Sequence, residues 1–172
     1  LDRMDSESYE LASYPAPFRI LGQDLKPFCL GHFNILRRLK CCFVADETIT
    51  GPLSEAIVGD LIKGVLVCSR SASDAETLVR NIEQMKSLAE QLGNSNPYRS
   101  VVGLDDSVVE FQRYISEGSR MPGYYALPNE AQPMQLNQGW VQNVLLSLVT
   151  NCGYTRTEAL NAPLGQVLFD HL

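Results

Sequence analysis

Leu30, Phe33, Leu36 and Leu39 recur at three-residue intervals and open a stretch of helical periodicity that continues, with interruptions, along most of the chain. The spacing predicts a first helix over about residues 30–42, with Arg37, Arg38 and Lys40 near its C-terminal end, where cations complement the helix dipole. A second helix is expected from Ser54, a good N-cap, with Ile57, Val58, Leu61, Ile62, Val65 and Leu66 as its apolar face. A third is expected to start at Ser71 or Ser73 and run to Gly93, because Ser73–Asp74–Ala75–Glu76 reads as a capping box. Leu78, Ile82, Met85, Leu88, Ala89 and Leu92 form its stripe, and Arg80, Glu83, Lys86 and Glu90 its outer face. Asp105 or Asp106 is placed to cap a fourth helix carrying Val108, Val109, Phe111, Gln112 and Ile115, which Gly118 stops. Trp140, Val141, Val144, Leu145, Leu148 and Val149 make a strongly apolar helix ending at Gly153. Thr155–Arg156–Thr157–Glu158 is a second capping box, opening a short helix through Leu160. Asn161 is then expected to cap a final helix with Pro163 in its first turn and Leu164, Val167, Leu168 and Leu172 as its stripe.

Elsewhere the periodicity fails. Residues 18–21 and 25–28 are short apolar runs flanking Gly22–Gln23–Asp24, which predicts a small β-hairpin. Pro27 confines the second run to an edge strand, since proline cannot donate a ladder hydrogen bond. Residues 1–17 are polar, acidic and punctuated by Pro15 and Pro17, and are expected to form a flexible arm. Residues 46–52 and 94–103 read as turn-rich connections. Residues 119–137 form a long segment without periodicity that carries Tyr124, Tyr125 and several prolines. The expected architecture is mainly α: about six helices in a compact bundle with a small N-terminal β-hairpin, in one domain over residues 18–172. Its core is expected to contain Leu36, Leu61, Val65, Leu78, Ile82, Leu145, Leu148, Leu164 and Leu168.

Composition narrows the class. With 172 residues, 45% of them hydrophobic, the chain is large enough for one self-sufficient core. A net charge of −6 argues against a partner that presents a phosphate backbone. The last two helices superficially resemble a helix-turn-helix, but the final one offers only Gln166 to read bases and ends in Asp170. No nucleic-acid partner is expected. Five cysteines, an odd number without regular spacing, read as buried thiols of a reducing compartment. A zinc set of Cys29, His32, Cys41 and Cys42 lacks two well-separated ligand pairs. No apolar run reaches the ~18 residues of a membrane span, and no leader-like segment opens the chain. Because the chain starts at Leu1 and a helix is expected to run into Leu172, both ends are expected to be trimmed.

Motifs that announce catalysis, such as G-x-S-x-G, H-E-x-x-H or a phosphate-binding glycine loop, do not occur. Cys29 and His32 would need to meet each other and a third, orienting group to form a nucleophile. Asp105 and Asp106 are adjacent, and neighbours on a helix point apart. No catalytic, cofactor-binding or metal-binding residue is expected. Arg37, Arg38 and Lys40 fit a helix C-terminus, with an acidic partner surface as the alternative. Tyr124 and Tyr125 either cover the edge of the bundle or anchor an arm on a partner.

One resemblance adds to this reading. Phe18–Arg19–Ile20–Leu21–Gly22–Gln23–Asp24–Leu25–Lys26–Pro27–Phe28–Cys29–Leu30–Gly31–His32 resembles small proteins of prophage tail modules, in which a hairpin runs through L-x-P-(F/L)-(S/T)-L-G-H into a helix. Asp60–Leu61–Ile62–Lys63–Gly64–Val65–Leu66–Val67–Cys68–Ser69 looks like their next helix. Gly153–Tyr154–Thr155–Arg156–Thr157–Glu158–Ala159–Leu160–Asn161–Ala162–Pro163–Leu164 is similar to the closing turn of phage tail assembly chaperones. Residues 119–137 have no counterpart in that pattern. The resemblance implies a non-enzymatic helical protein, without cofactor, that binds a tape-measure protein in the bacterial host cytoplasm. The alternative it implies is a structural subunit of the particle: neck, tail terminator or baseplate. Self-association is left open. The partner groove is expected between the Trp140 helix and the second helix, with Trp140, Leu61 and Val65 as anchors and Tyr124 and Tyr125 as further contacts.

Overall fold

The computed structural model describes residues 17–45, 54–94, 101–119 and 138–171. They are mainly helical, with a two-stranded antiparallel hairpin at the N-terminal end, as the periodicity predicts. The expected arm at residues 1–17 and the segment at 119–137, including Tyr124 and Tyr125, lie outside the described residues except for Pro17 and Ser119. The connection at 46–52 and most of that at 94–103 lie outside them too.

Strands β1 (Phe18–Ile20) and β2 (Gln23–Leu25) pair Phe18 with Leu25 and Ile20 with Gln23. The turn is therefore Leu21–Gly22, one position earlier than expected, and Gln23 and Asp24 belong to the strand. Both turn residues have left-handed backbones, φ 50° and 75°, which matches the twist of a two-residue hairpin. Glycine adopts that conformation freely; Leu21 is held in it with its side chain buried.

Helix α1 (Leu30–Arg38) stops four residues short of the expected end, and a single 3-10 turn, Cys42–Val44, follows it. Lys40 takes a left-handed backbone, φ 53°, while the Lys40 and Cys41 N–H groups donate to the Arg37 and Leu36 carbonyls. This is a Schellman ending with lysine where glycine is usual. Helix α2 (Glu55–Cys68) starts at Ser54 as expected, the Ser54 hydroxyl accepting from the Ile57 N–H.

The expected third helix is two helices, α3 (Ala72–Arg80) and α4 (Ile82–Asn94). Ser71, not Ser73, caps α3, and Glu76 turns outward to Arg38 and Arg80 instead of closing a capping box. Asn81 breaks the run, because its side chain accepts from the Gln84 N–H and so caps α4. Ile82 consequently leaves the expected stripe and is 64% exposed.

Helix α5 (Val101–Gly118) begins upstream of Asp105 and Asp106, which lie inside it on an exposed face instead of capping it. Helix α6 (Gln138–Asn151) and the capping box of α7 (Arg156–Asn161) match expectation. Before α8 (Leu164–His171), Asn161 does not cap as expected. Its side chain accepts from the Ala72 N–H at the start of α3 and donates to the Thr157 carbonyl.

Helix α2 is the centre of the domain, in contact with α1, α3, α4, α5 and β2. Helix α6 packs chiefly on α7 and α8, and α1 joins the two groups through α3 and α7. Leu36, Leu61, Val65, Leu78, Leu148, Leu164 and Leu168 are buried as expected, while Leu145 is half-buried. Phe111 fills the space beside Gly64 on α2, with Tyr114 stacked on it and Phe43 edge-on.

Candidate functional site

The anchors expected to line a groove between α6 and α2 are buried among the described residues. Leu61 and Val65 are wholly buried, because α2 is surrounded by neighbouring helices and spends its apolar face on them. Trp140 is 7% exposed and meets the Phe33 ring edge-on at 6.0 Å. These three residues hold the domain together; they present no open surface.

The sulfur and imidazole groups near the start of α1 are likewise internal. Cys29 precedes α1, and its sulfur accepts from the His32 N–H. Burial pushes its thiol up to about 11. Cys41 and Cys42 are pushed up to about 12 and about 11, chiefly by burial, with Asp60 adding to both. Cys68 is raised well above the usual thiol range by complete burial. All four are neutral thiols at pH 7, whereas the thiolate is the form that attacks or binds metal. Among the described residues no three His, Cys, Asp or Glu side chains converge as metal ligands.

The His32 ring bonds to the backbone of another segment, while only the residue's own backbone N–H meets the Cys29 sulfur. Its Nε2 lies 2.8 Å from the Arg70 carbonyl. A carbonyl only accepts, so Nε2 carries the proton of the neutral ring. Burial lowers the pKa below its usual 6.5, against the smaller opposing pull of the Arg70 and Pro27 carbonyls. Unfolding therefore exposes a more basic imidazole. Stability contributed by neutral His32 is complete above pH 6.5 and is lost as pH falls through the unfolded value towards the folded one. Urea melts between pH 8 and pH 5 are expected to show this decline, and His32→Gln is expected to flatten it. An unchanged slope in the variant would assign the decline to other groups.

The exposed surface shows a different candidate. Residues 131–155 contain no Asp, Glu, Lys, Arg or His, in a chain of which 20% is charged. Helix α6 lies within this stretch and carries no charge, and its exposed side mixes Gln142, Asn143 and Thr150 with apolar residues. One side packs inward through Val141, Val144 and Leu148; Leu146 and Val149 are nevertheless 64% and 41% exposed. Leu146 and Val149 thus stand uncovered among the described residues. Val149 stands four residues from Leu145 and three from Leu146, so it lies between the two adjacent leucines on the helix surface.

Leu145 also lines a cleft of about 310 Å³ bounded by α1, α3, α6 and α7. Arg38, Arg80 and Arg156 line it as well. Glu76 lies between the first two, paired with Arg38 and, at 3.2 Å, with Arg80. Those guanidinium groups hold the Glu76 carboxyl below its usual range, so it stays ionised. Nothing local in the sequence announces this cleft, whose arginines come from three separate helices. The apolar run of α6 was visible and included Val149, but it passed over Leu146.

No protein-family model, curated protein or solved structure matches the chain. Among the described residues no helix is long and apolar enough to cross a membrane.

Proposed function

We propose that this chain is a non-enzymatic helical protein that binds a protein partner in the assembly of a phage or phage-like tail, the tape-measure protein being the partner that the resemblance implies. The observation that carries protein binding is the exposed, uncharged stripe of α6, with Leu146 and Val149 at its centre. An unpartnered apolar helix face suits helix-on-helix docking, and the chain's net charge of −6 keeps such a complex soluble.

The three sequence patches that carry the tail-module resemblance lie together in the fold. The first and third meet directly: the Leu164 N–H donates to the Phe28 carbonyl at 2.7 Å, and Cys29 and Pro163 form an isolated antiparallel bridge. The second joins the first where the Lys26 N–H donates to the Cys68 carbonyl at 2.8 Å. Segments far apart in the chain thus form one packed unit.

The test is affinity capture from the producing bacterium, beside mass spectrometry of purified particles. Recovery of a long helical protein, with this chain absent from particles, supports the chaperone reading and a place in the host cytoplasm during assembly. Fixed stoichiometry in particles would replace it with a neck, terminator or baseplate subunit. Leu146→Glu/Val149→Glu is expected to abolish capture while leaving the helical circular dichroism unchanged. Undiminished capture by that variant would remove α6 from the interface.

A further inference from the structure

We infer that the cleft beside α6 receives the acidic flank of an amphipathic helix whose apolar side lies along Leu145, Leu146 and Val149. This rests on the reading of α6 as a protein-docking face and adds the chemistry of the partner. Charge complementarity carries it. The cleft lining holds three arginines and one glutamate, a local charge of +2 in a chain of net charge −6. Arg38 and Arg80 are fixed in direction by Glu76 yet remain 50% and 78% exposed at their side chains. Arg156 is exposed and has no ion pair among the described residues. Arginine suits this role because its planar fork can hold Glu76 and still offer N–H groups to a second carboxylate.

The apolar stripe sets the class of ligand. A small anion would use the arginines and leave Leu146 and Val149 uncovered. It would also find the start of α3 already taken, because the Ala72 and Asp74 N–H groups donate to Asn161 and Ser71. The cleft, at about 310 Å³, takes a few side chains and not a helix. A helix lying on α6 with carboxylates on one flank fills the cleft and covers the stripe together.

The probe is a labelled synthetic helix of about 18 residues, long enough to hold its structure, with a leucine stripe flanked by glutamates. Its twin carries lysines at the same positions. Fluorescence anisotropy at low salt is expected to give at least about tenfold tighter binding of the acidic peptide. The preference should vanish at about 1 M salt, where charges are screened within about 3 Å. Arg80→Glu/Arg156→Glu is expected to reverse the preference, and Arg156→Gln to weaken it. Arg113→Glu, on the remote helix α5, should leave it intact. Thermal melts by circular dichroism check that each variant folds.

Equal binding of both peptides, no binding of either, or indifference to the arginine changes would overturn the inference. So would sedimentation showing that the cleft is covered by a second copy of the chain. Peptide discrimination without capture of a tape-measure protein would keep the cleft chemistry and defeat the tail-assembly reading. Capture without discrimination would do the opposite.

Discussion

Phe111→Ala is expected to lower the unfolding free energy by about 3–5 kcal/mol, a large share of the roughly 5–15 kcal/mol that holds a domain of this kind together. Phe111 has no exposed surface and lies 5.6 Å from the Tyr114 ring and 5.0 Å from that of Phe43. Its removal leaves a cavity where α5 meets the 3-10 turn and α2. The opposite wall is Gly64, where a Cβ would come within 2.5 Å of the Phe111 ring. Gly64→Ala alone is therefore expected to cost about 1–3 kcal/mol through overpacking. Together the two changes should cost less than their sum, because the added methyl enters the vacated space. Urea melts of the four proteins in this cycle supply the comparison. Strict additivity would show that Gly64 and Phe111 do not meet in solution.

Gly31→Ala should have the next largest effect, about 2–3 kcal/mol even after the roughly 1 kcal/mol that alanine returns through helix propensity. A Cβ at this position would lie 2.4 Å from the Ala72 Cβ and 2.8 Å from the Leu160 carbonyl oxygen. Neither neighbour is the free end of a flexible side chain, so α1, α3 and α7 would have to separate. Adding Ala72→Gly removes the first collision and leaves the second, so partial recovery is expected. Full recovery would mean that the Leu160 carbonyl is not a constraint, and a stable single variant would mean that the three helices do not pack this closely.

Much of the fold was legible because local chemistry and packing agree along most of the chain. Ser54 and Thr155 cap the helices they precede, and α2 and α6 fall within the apolar runs that announced them. The misreadings share a physical origin. Asn81 interrupts a stripe that continues in register from Leu78 to Met85, so a side-chain cap outcompetes helix continuation without disturbing the hydrophobic pattern. Asn161 has the composition of a local cap and serves a helix 89 positions away. Lys40 ends α1 in a backbone conformation that glycine would have announced. Periodicity also identifies apolar positions without saying which of them find neighbours. It therefore placed Leu61 and Val65 in the core, where they are, and Ile82 with them, where it is not. The arginine cleft exists only after α1, α3 and α7 have assembled.

The bond between Leu164 and Phe28 has a consequence for synthesis. Phe28 and the start of α3 leave the ribosome well before their partners, because the backbone that satisfies the Phe28 carbonyl and the side chain that accepts from the Ala72 N–H are made 89 or more residues later. The N-terminal helices therefore emerge with one face unfinished and close only when α7 and α8 arrive. Long-range closure of this kind slows folding and prolongs the exposure of apolar surface. A message cut short after Gly153 would yield not a smaller working domain but a bundle with an open seam, a natural substrate for cellular proteases.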